Sequence, residues 1–373
     1  MKRYDTISIL QVSFLFMTAI GLKNHVTVIP HLVSAGKRDA WMSVVFAALC
    51  ILIWGFLLRY IYKATEPQNI FEWIGEQINK KVGRVLSMLT SLFCIFLAAV
   101  SLKELVSWTA VTYLPFTPSF ALVTSLAVLC LFLALTSLQT IVMVNTLVLM
   151  GVIVFGFFVG IANFQHKDFT LLKPILEHGF EPVIKGIIFP LSGLVELIAF
   201  LFLQHKLHSK VTYKTFMINV FILAWLILGP LLGAIIEFGP LEAARQKYPA
   251  FEEWGIVSLG RFIEHVDFLS IYQWITGGFI RITFFLFLAI EVLALKDKRK
   301  RKWVMIIYSV IMIAANLIPT NDIVLRHFIG RVFMPVTFYF LFALSILIGL
   351  FVFMKNRKKR RMNYVQDQEK TTT

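Results

Sequence analysis

The sequence predicts an all-α polytopic membrane protein with about ten transmembrane helices, and three observations predict it. Of the 373 residues, 58% are hydrophobic and only 15% charged, where a soluble domain carries roughly a quarter charged residues. Apolar runs recur along the whole chain at about the 20 residues a bilayer span requires, and mean hydropathy is +0.78. The basic residues behind the net charge of +15 sit in short clusters between those runs. That is the pattern of membrane topology, not of a nucleic-acid surface.

Spans are predicted at 6–33, 41–62, 85–114, 119–136, 141–163, 186–204, 215–238, 268–295, 303–319 and 332–354. The first run lacks a short apolar region ending in a small-residue cleavage site, so it is expected to remain in the mature chain. Cys50, Cys94 and Cys130 all lie inside apolar runs and show neither a disulfide framework nor metal-ligand spacing. With an even span count both termini share one side. That side receives at least 20 Lys and Arg, including the 296–302 and 355–361 clusters, against 10 on the other. The positive-inside rule then places both termini in the cytoplasm, the clusters themselves serving topology and lipid head-group contact.

The chain therefore divides into one transmembrane domain, 1–354, and a basic to polar cytoplasmic tail, 355–373. The two longer outer loops, 164–185 and 239–267, are mixed in charge and hold Pro174, Pro182, Pro240 and Pro249. The stretch 252–265 is a candidate surface helix, and the tail after Asn363 is expected to be disordered.

Chemistry is sought where polar residues interrupt the spans, because irregular backbone at membrane depth persists only where it lines a cavity. Span one carries Gly21-Leu22-Lys23-Asn24-His25 at its middle, followed by Pro30. A continuous helix would set an ammonium, an amide and an imidazole in lipid, so an unwound segment facing a cavity is expected. Span six opens with Gly186, reaches Phe189-Pro190-Leu191-Ser192-Gly193, and has Glu196 one turn on. Pro190 lacks the amide a helix interior needs. Spans one and six are the first members of two sets of five, about 6–163 and 186–354. Interrupted helices at corresponding places mark the binding site of inverted-repeat transporter folds.

Arg281, halfway along span eight, needs a partner, since an isolated arginine in hydrocarbon costs at least ~2.5 kcal/mol on insertion scales. Glu196 is at similar depth, and their pairing either locks helices or serves a site. Lys103 and Glu104 lie in the outer half of span three, and Glu291 nearer the inner end is read as snorkelling or paired with Lys296. His25 is read as structurally hydrogen-bonded in preference to moving protons. The Gly277-Gly278 pair either allows close helix packing or opens room for a ligand. Phosphate loops, dinucleotide fingerprints, His-Glu-x-x-His and nucleophile elbows are all absent from the sequence. The expectation is a protein that is not an enzyme and that takes no cofactor and no metal.

These residues resemble the spore germination permease family, the polytopic B subunit of nutrient germinant receptors within the amino acid–polyamine–organocation superfamily. The resemblance rests on Asn24-His25 through Pro30, Ala35-Gly36-Lys37-Arg38-Asp39-Ala40-Trp41, Phe71-Glu72 with Gly83, and Thr117-Pro118. It continues through Phe189-Pro190 with Gly193 and Glu196, then Pro249, Trp274 with Gly277, Pro319 and the basic tail. Many members have a tighter Gly-x-Gly in span one, and a glycine closer to the span-six glutamate.

The resemblance implies a five-plus-five inverted repeat (LeuT-like) with discontinuous helices 1 and 6, sitting in the inner spore membrane. It further implies that a small germinant, an amino acid for example, binds near the bilayer midplane, and that the partners are a membrane-anchored A subunit and a lipoprotein C subunit. By superfamily geometry the ligand residues would be Gly21, Lys23 and Asn24, then Leu97 and Ser101, then Ser192, Gly193 and Glu196, and finally Thr276, Gly277 and Arg281. An H⁺- or Na⁺-coupled amino acid transporter of the same superfamily is the alternative that the spans alone leave open.

Overall fold

The computed structural model describes residues 6–258 and 266–371, and no β-strand occurs among them; an isolated parallel bridge pairs Ile7 with Leu207. The chain opens with α1 (Ile9–Leu22), a π-helical segment Lys23–Thr27 and α2 (Val28–Gly36). Next come α3 (Ala40–Thr65), the short α4 (Ile70–Gln77), α5 (Lys80–Thr112), α6 (Ser119–Ala134) and α7 (Leu138–Ala162). Then follow α8 (Glu181–Gly186), α9 (Ile188–Leu194), a 3-10 turn Val195–Ile198 and α10 (Ala199–Leu203). After α11 (Tyr213–Phe238) run the two loop helices α12 (Pro240–Arg245) and α13 (Pro249–Gly255), then α14 (Leu269–Glu291) and α15 (Lys298–Leu317). The chain closes with α16 (Asp322–Phe328), a second π-helical segment Ile329–Phe333 and α17 (Met334–Thr371).

Helix starts are written locally. Ser8 and Gln11 form a reciprocal capping box, Asn69 and Asn79 accept from the first amides of α4 and α5, and Asp297 does the same for α15. Gly239, at φ 79°, reverses the chain between α11 and α12 in a backbone region other residues rarely enter.

Among the described residues, seven helical stretches are long and apolar enough to cross a membrane: Ile9–Thr65, Lys80–Thr112, Leu138–His166, Glu181–Lys206, Tyr213–Phe238, Leu269–Glu291 and Asp322–Lys358. The first, at 57 residues, takes in both of the first two predicted spans. Two other predicted spans are helical but fall outside the seven, because α6 has only 16 residues and α15 opens on Lys-Arg-Lys-Arg-Lys.

Contacts gather the connections into two ends. At the basic end Ile7 pairs with Leu207, Asn69 donates to the Glu291 carbonyl, and Lys210 meets Glu66. At the opposite, loop end Arg38 meets Glu177, the Asp168 amide donates to the Ile236 carbonyl, and Lys247 meets Asp322. The apolar windows of Glu181–Lys206 and α14 are 83% and 78% buried, whereas that of Leu138–His166 is 22% buried. The former are therefore the axis of the bundle, and α7 turns its Leu147 and Phe157 outward to the lipid.

Three expectations are corrected. Span one is not unwound at 21–25: α1 runs through Gly21, and Lys23–Thr27 continues it as a π-helix in which the Val28 amide bonds the Lys23 carbonyl. A π-turn keeps each backbone group satisfied where no water is at hand, while rotating the following side chains. The tail is not disordered after Asn363, since α17 runs to Thr371. Lys, Arg, Gln and Glu are good helix formers and no Gly or Pro follows Gly349 to stop the helix. Of the candidate surface helix at 252–265, α13 covers the start from Pro249 to Gly255; residues 259–265 lie outside the described set.

Candidate functional site

The two interrupted helices, α1–α2 and α8–α10, meet α14 at the bundle axis. In the π-helical segment Lys23 and Asn24 are buried and turn towards α9, while His25 turns to α11, its Nδ1 lying 3.2 Å from the Leu226 carbonyl oxygen. Lys23 Nζ donates to the Ser192 carbonyl at 2.9 Å and to Glu196 Oε1 at 3.0 Å, and lies 5.0 Å from the centre of the Phe333 ring. Phe333 closes the second π-helical segment, so both π-turns meet at this ammonium.

Glu196 sits in the 3-10 turn between α9 and α10, 1% exposed. The Arg281 guanidinium holds it bidentately, Nη1 to Oε2 at 2.8 Å and Nη2 to Oε1 at 3.0 Å. Arg281 also donates from Nε to Ser101 Oγ at 2.8 Å and from Nη1 to the Ala19 carbonyl, and stacks over the Phe285 ring. Ser101 in turn donates to the Leu97 carbonyl of its own helix. Three donor contacts thus fix a carboxylate shared by two cations. Such a fork-to-carboxylate geometry is stronger and more directional than neutral hydrogen bonds.

The immediate group carries two buried positive charges and one negative. Glu104, nearer the loop end on α5, accepts from Thr27 Oγ1 at 3.2 Å and makes no ion pair within 4.0 Å among the described residues. Asn24 has neither side-chain atom hydrogen-bonded, although the residue is 0% exposed. Its amide occupies the notch left by Gly193, where an added Cβ would stand 1.7 Å from Asn24 Oδ1. An unpartnered buried amide is costly, of order 1–3 kcal/mol, and beside an unbalanced cation it marks a place where a polar group is wanted.

Of the residues expected at the site, Lys23, Asn24, Ser101, Ser192, Gly193, Glu196 and Arg281 are brought together, and Leu97 takes part through its carbonyl. Three are placed elsewhere. Gly21 faces α11, where an added Cβ would come within 2.9 Å of Leu226 Cδ1. Gly277 abuts Leu22, and its neighbour Gly278 abuts Leu105 at 2.6 Å from an added Cβ, which is close helix packing. Thr276 turns its hydroxyl back to the Tyr272 carbonyl of its own helix, as such residues do in apolar surroundings. Lys103 donates to the Asn316 and Ile318 carbonyls. Glu291 pairs with His205, Lys206 and Arg301 at the basic end.

Sequence reasoning paired Glu196 with Arg281 but missed Lys23 as the third member. The signal was available, since Lys23 lies as deep as Arg281 and had no partner assigned. It also missed the Phe333 ring and Asn145, an amide in α7 that is wholly buried with both side-chain atoms unpartnered. No pattern in the sequence points to either.

Residues 6–324 match the spore permease family, described as spore germination protein. The chain is 39% identical over 354 residues to spore germination protein XB of Bacillus anthracis, covering 95% of this chain and 99% of that protein. It is 21% identical over 339 residues to spore germination protein A2 of Bacillus subtilis (strain 168), covering 87% and 88%. The helical membrane protein described here therefore belongs to the spore permease family of spore germination proteins.

Proposed function

We propose that this chain is the integral membrane subunit of a spore nutrient-germinant receptor, binding a small amino acid in the polar layer formed by Lys23, Asn24, Ser192, Gly193, Glu196 and Arg281. One observation carries the reading: two buried cations share a single carboxylate beside a buried amide with no partner. An incoming carboxylate balances that charge and gives Asn24 a hydrogen bond. Glu104, towards the loop end of the same layer, offers the opposite charge that the ammonium of a zwitterion needs.

In this reading the ten helical spans form a five-plus-five inverted repeat whose irregular first members, at Lys23–Thr27 and Val195–Ile198, are the corresponding parts of the two halves. Both termini face the spore core across the inner membrane. Ligand binding shifts a helix-packing equilibrium by as much as the ligand's preference for one state, and the A and C subunits read the shift. The test is germination of a deletion strain against a panel of amino acids, sugars and nucleosides. Loss of response to an amino acid, restored by the wild-type chain but not by Arg281→Gln produced at equal level, is the expected result. Unaltered germination, with uptake of labelled amino acid into proteoliposomes, would make the chain a coupled transporter instead.

A further inference from the structure

A crevice with mixed basic and apolar walls opens at the loop end, away from the central cluster. It encloses about 460 Å³ between α2, α9, α16 and the second π-helical segment, with His31, Phe189, Arg326, His327 and Arg331 among its walls. That size lies within the usual 300–1,000 Å³ range of small-molecule sites. His31 is eight residues beyond Lys23, about 12 Å along a helix, so this space is distinct from the Lys23–Glu196–Arg281 group.

The walls are built, and their fixed charges, Arg326 and Arg331, are of one sign. The His31 ring stacks on Phe189, centroids 5.8 Å apart, and packs so closely on Gly330 that an added Cβ would lie 2.5 Å from its Nδ1. Any side chain at position 330 would displace the imidazole. Arg326 is held by the chain itself, donating to the carbonyls of Ala244 at 2.9 Å and Arg245 at 3.3 Å where α12 ends. Arg331 projects from the π-turn, and among the described residues neither it, His31 nor His327 makes a hydrogen bond or ion pair with another residue. The lining holds no Asp or Glu. Two guanidinium groups and two imidazoles therefore converge without a counter-charge. Arginine forks match the planar, two-oxygen face of carboxylate and phosphate.

We propose that this crevice is an oxyanion-binding site, taking a carboxylate- or phosphate-bearing group with Arg331 as the principal donor and His31 as an oriented second one. Two sources supply that chemistry, a soluble small anion and a phospholipid head group. The proposal does not rest on the central site.

The test uses the full chain in a phosphate-free maltoside detergent. Inorganic phosphate and dihexanoyl phosphatidylglycerol are titrated separately and followed by phosphorus NMR line width. Saturable broadening is expected with at least one probe, weakened about tenfold or more by Arg331→Gln and by Ser34→Trp, which fills the crevice from its exposed rim. Binding of phosphate alone identifies a soluble anion, and binding of the lipid alone identifies a head group; both support the site. If Arg331→Gln does not fold, Ser34→Trp carries the test. Binding of neither probe, or binding that both folded variants retain, overturns the proposal.

Discussion

Two buried charge clusters in this molecule are mirror images in sign. At the bundle axis, Lys23 and Arg281 share Glu196, an excess of one positive charge. At the loop end, Glu237 and Glu253 stand with one ammonium, Lys167, whose Nζ lies 3.8 Å from Glu237 Oε1. Asn163 ties the two acids by donating to Glu237 Oε2 at 3.1 Å and to the Glu253 carbonyl at 2.6 Å. Gly233 leaves room for the Glu253 carboxyl, whose Oε1 has no partner.

The two clusters have different remedies. Burial, and then the charge of Glu237, raise the Glu253 carboxyl well above its ordinary value, so the acid-rich cluster relieves itself by keeping a proton. The axial cluster could shed its excess only at Lys23, whose ammonium is held by the Ser192 carbonyl and Glu196; Arg281 has no such recourse, because a guanidinium does not give up its proton in a protein. An excess that the solvent's protons relieve is a structural matter; one that persists calls for an anion. The comparison thus separates a self-satisfied cluster from one with an unmet demand.

The largest effect expected breaks the axial cluster. Removing one partner of a buried pair costs roughly 3–5 kcal/mol because the other charge is stranded. Glu196→Gln strands two cations, whereas Arg281→Gln leaves Glu196 with Lys23. Glu196→Gln should therefore lower the thermal midpoint of the purified protein further than Arg281→Gln, and adding Lys23→Gln to Glu196→Gln should recover part of the loss. Equal losses in the two single variants, with no recovery in the double, would mean that the excess charge is not felt.

The loop-end cluster should respond to pH. Its carboxyl holds a proton more tightly when folded than when unfolded, so Glu253 contributes stability fully present below pH ~4.5 and lost as pH rises towards its raised folded value. Glu253→Gln, which keeps the shape of the protonated acid, removes that dependence. Its midpoint should match wild type at low pH and exceed it by a widening margin as pH rises. A constant difference across the titration would show that folding does not change how tightly Glu253 holds its proton.

Much of this was legible in the sequence, and the parts that were not share a cause. Spans follow from composition, and caps such as Ser8 with Gln11 sit where they are needed. Glu196 and Arg281 could be paired because a charge at membrane depth must find a partner, and few candidates existed. The irregularity of span one was visible in Lys23, Asn24 and His25, but its form was not. Unwinding and a π-turn both turn these polar residues into the bundle, and only the second keeps the backbone bonded. Direction was equally hidden. Gly21 and Thr276 lie at the right height and face the wrong way, one against Leu226 and the other against its own helix. Height comes from counting residues; azimuth depends on which neighbours pack where, and a π-turn shifts it.

Asn24→Ala gives the smallest expected effect and the sharpest test of the unmet demand. Truncating a hydrogen-bonded amide ordinarily destabilises a protein, but Asn24 has no partner to lose. Alanine also removes a buried, unpartnered polar group, so the thermal midpoint should hold or rise slightly. If a ligand's carboxylate supplies the missing partner, the loss appears only in its presence. A net hydrogen bond of about 0.5–1.5 kcal/mol corresponds to a two- to tenfold rise in the ligand concentration giving half-maximal response. The two measurements must therefore diverge, with stability unchanged or improved and response weakened at equal protein level. Falling stability with an unchanged concentration dependence would mean that Asn24 serves helix packing alone, and the demand for an anion would then rest on Lys23 and Arg281.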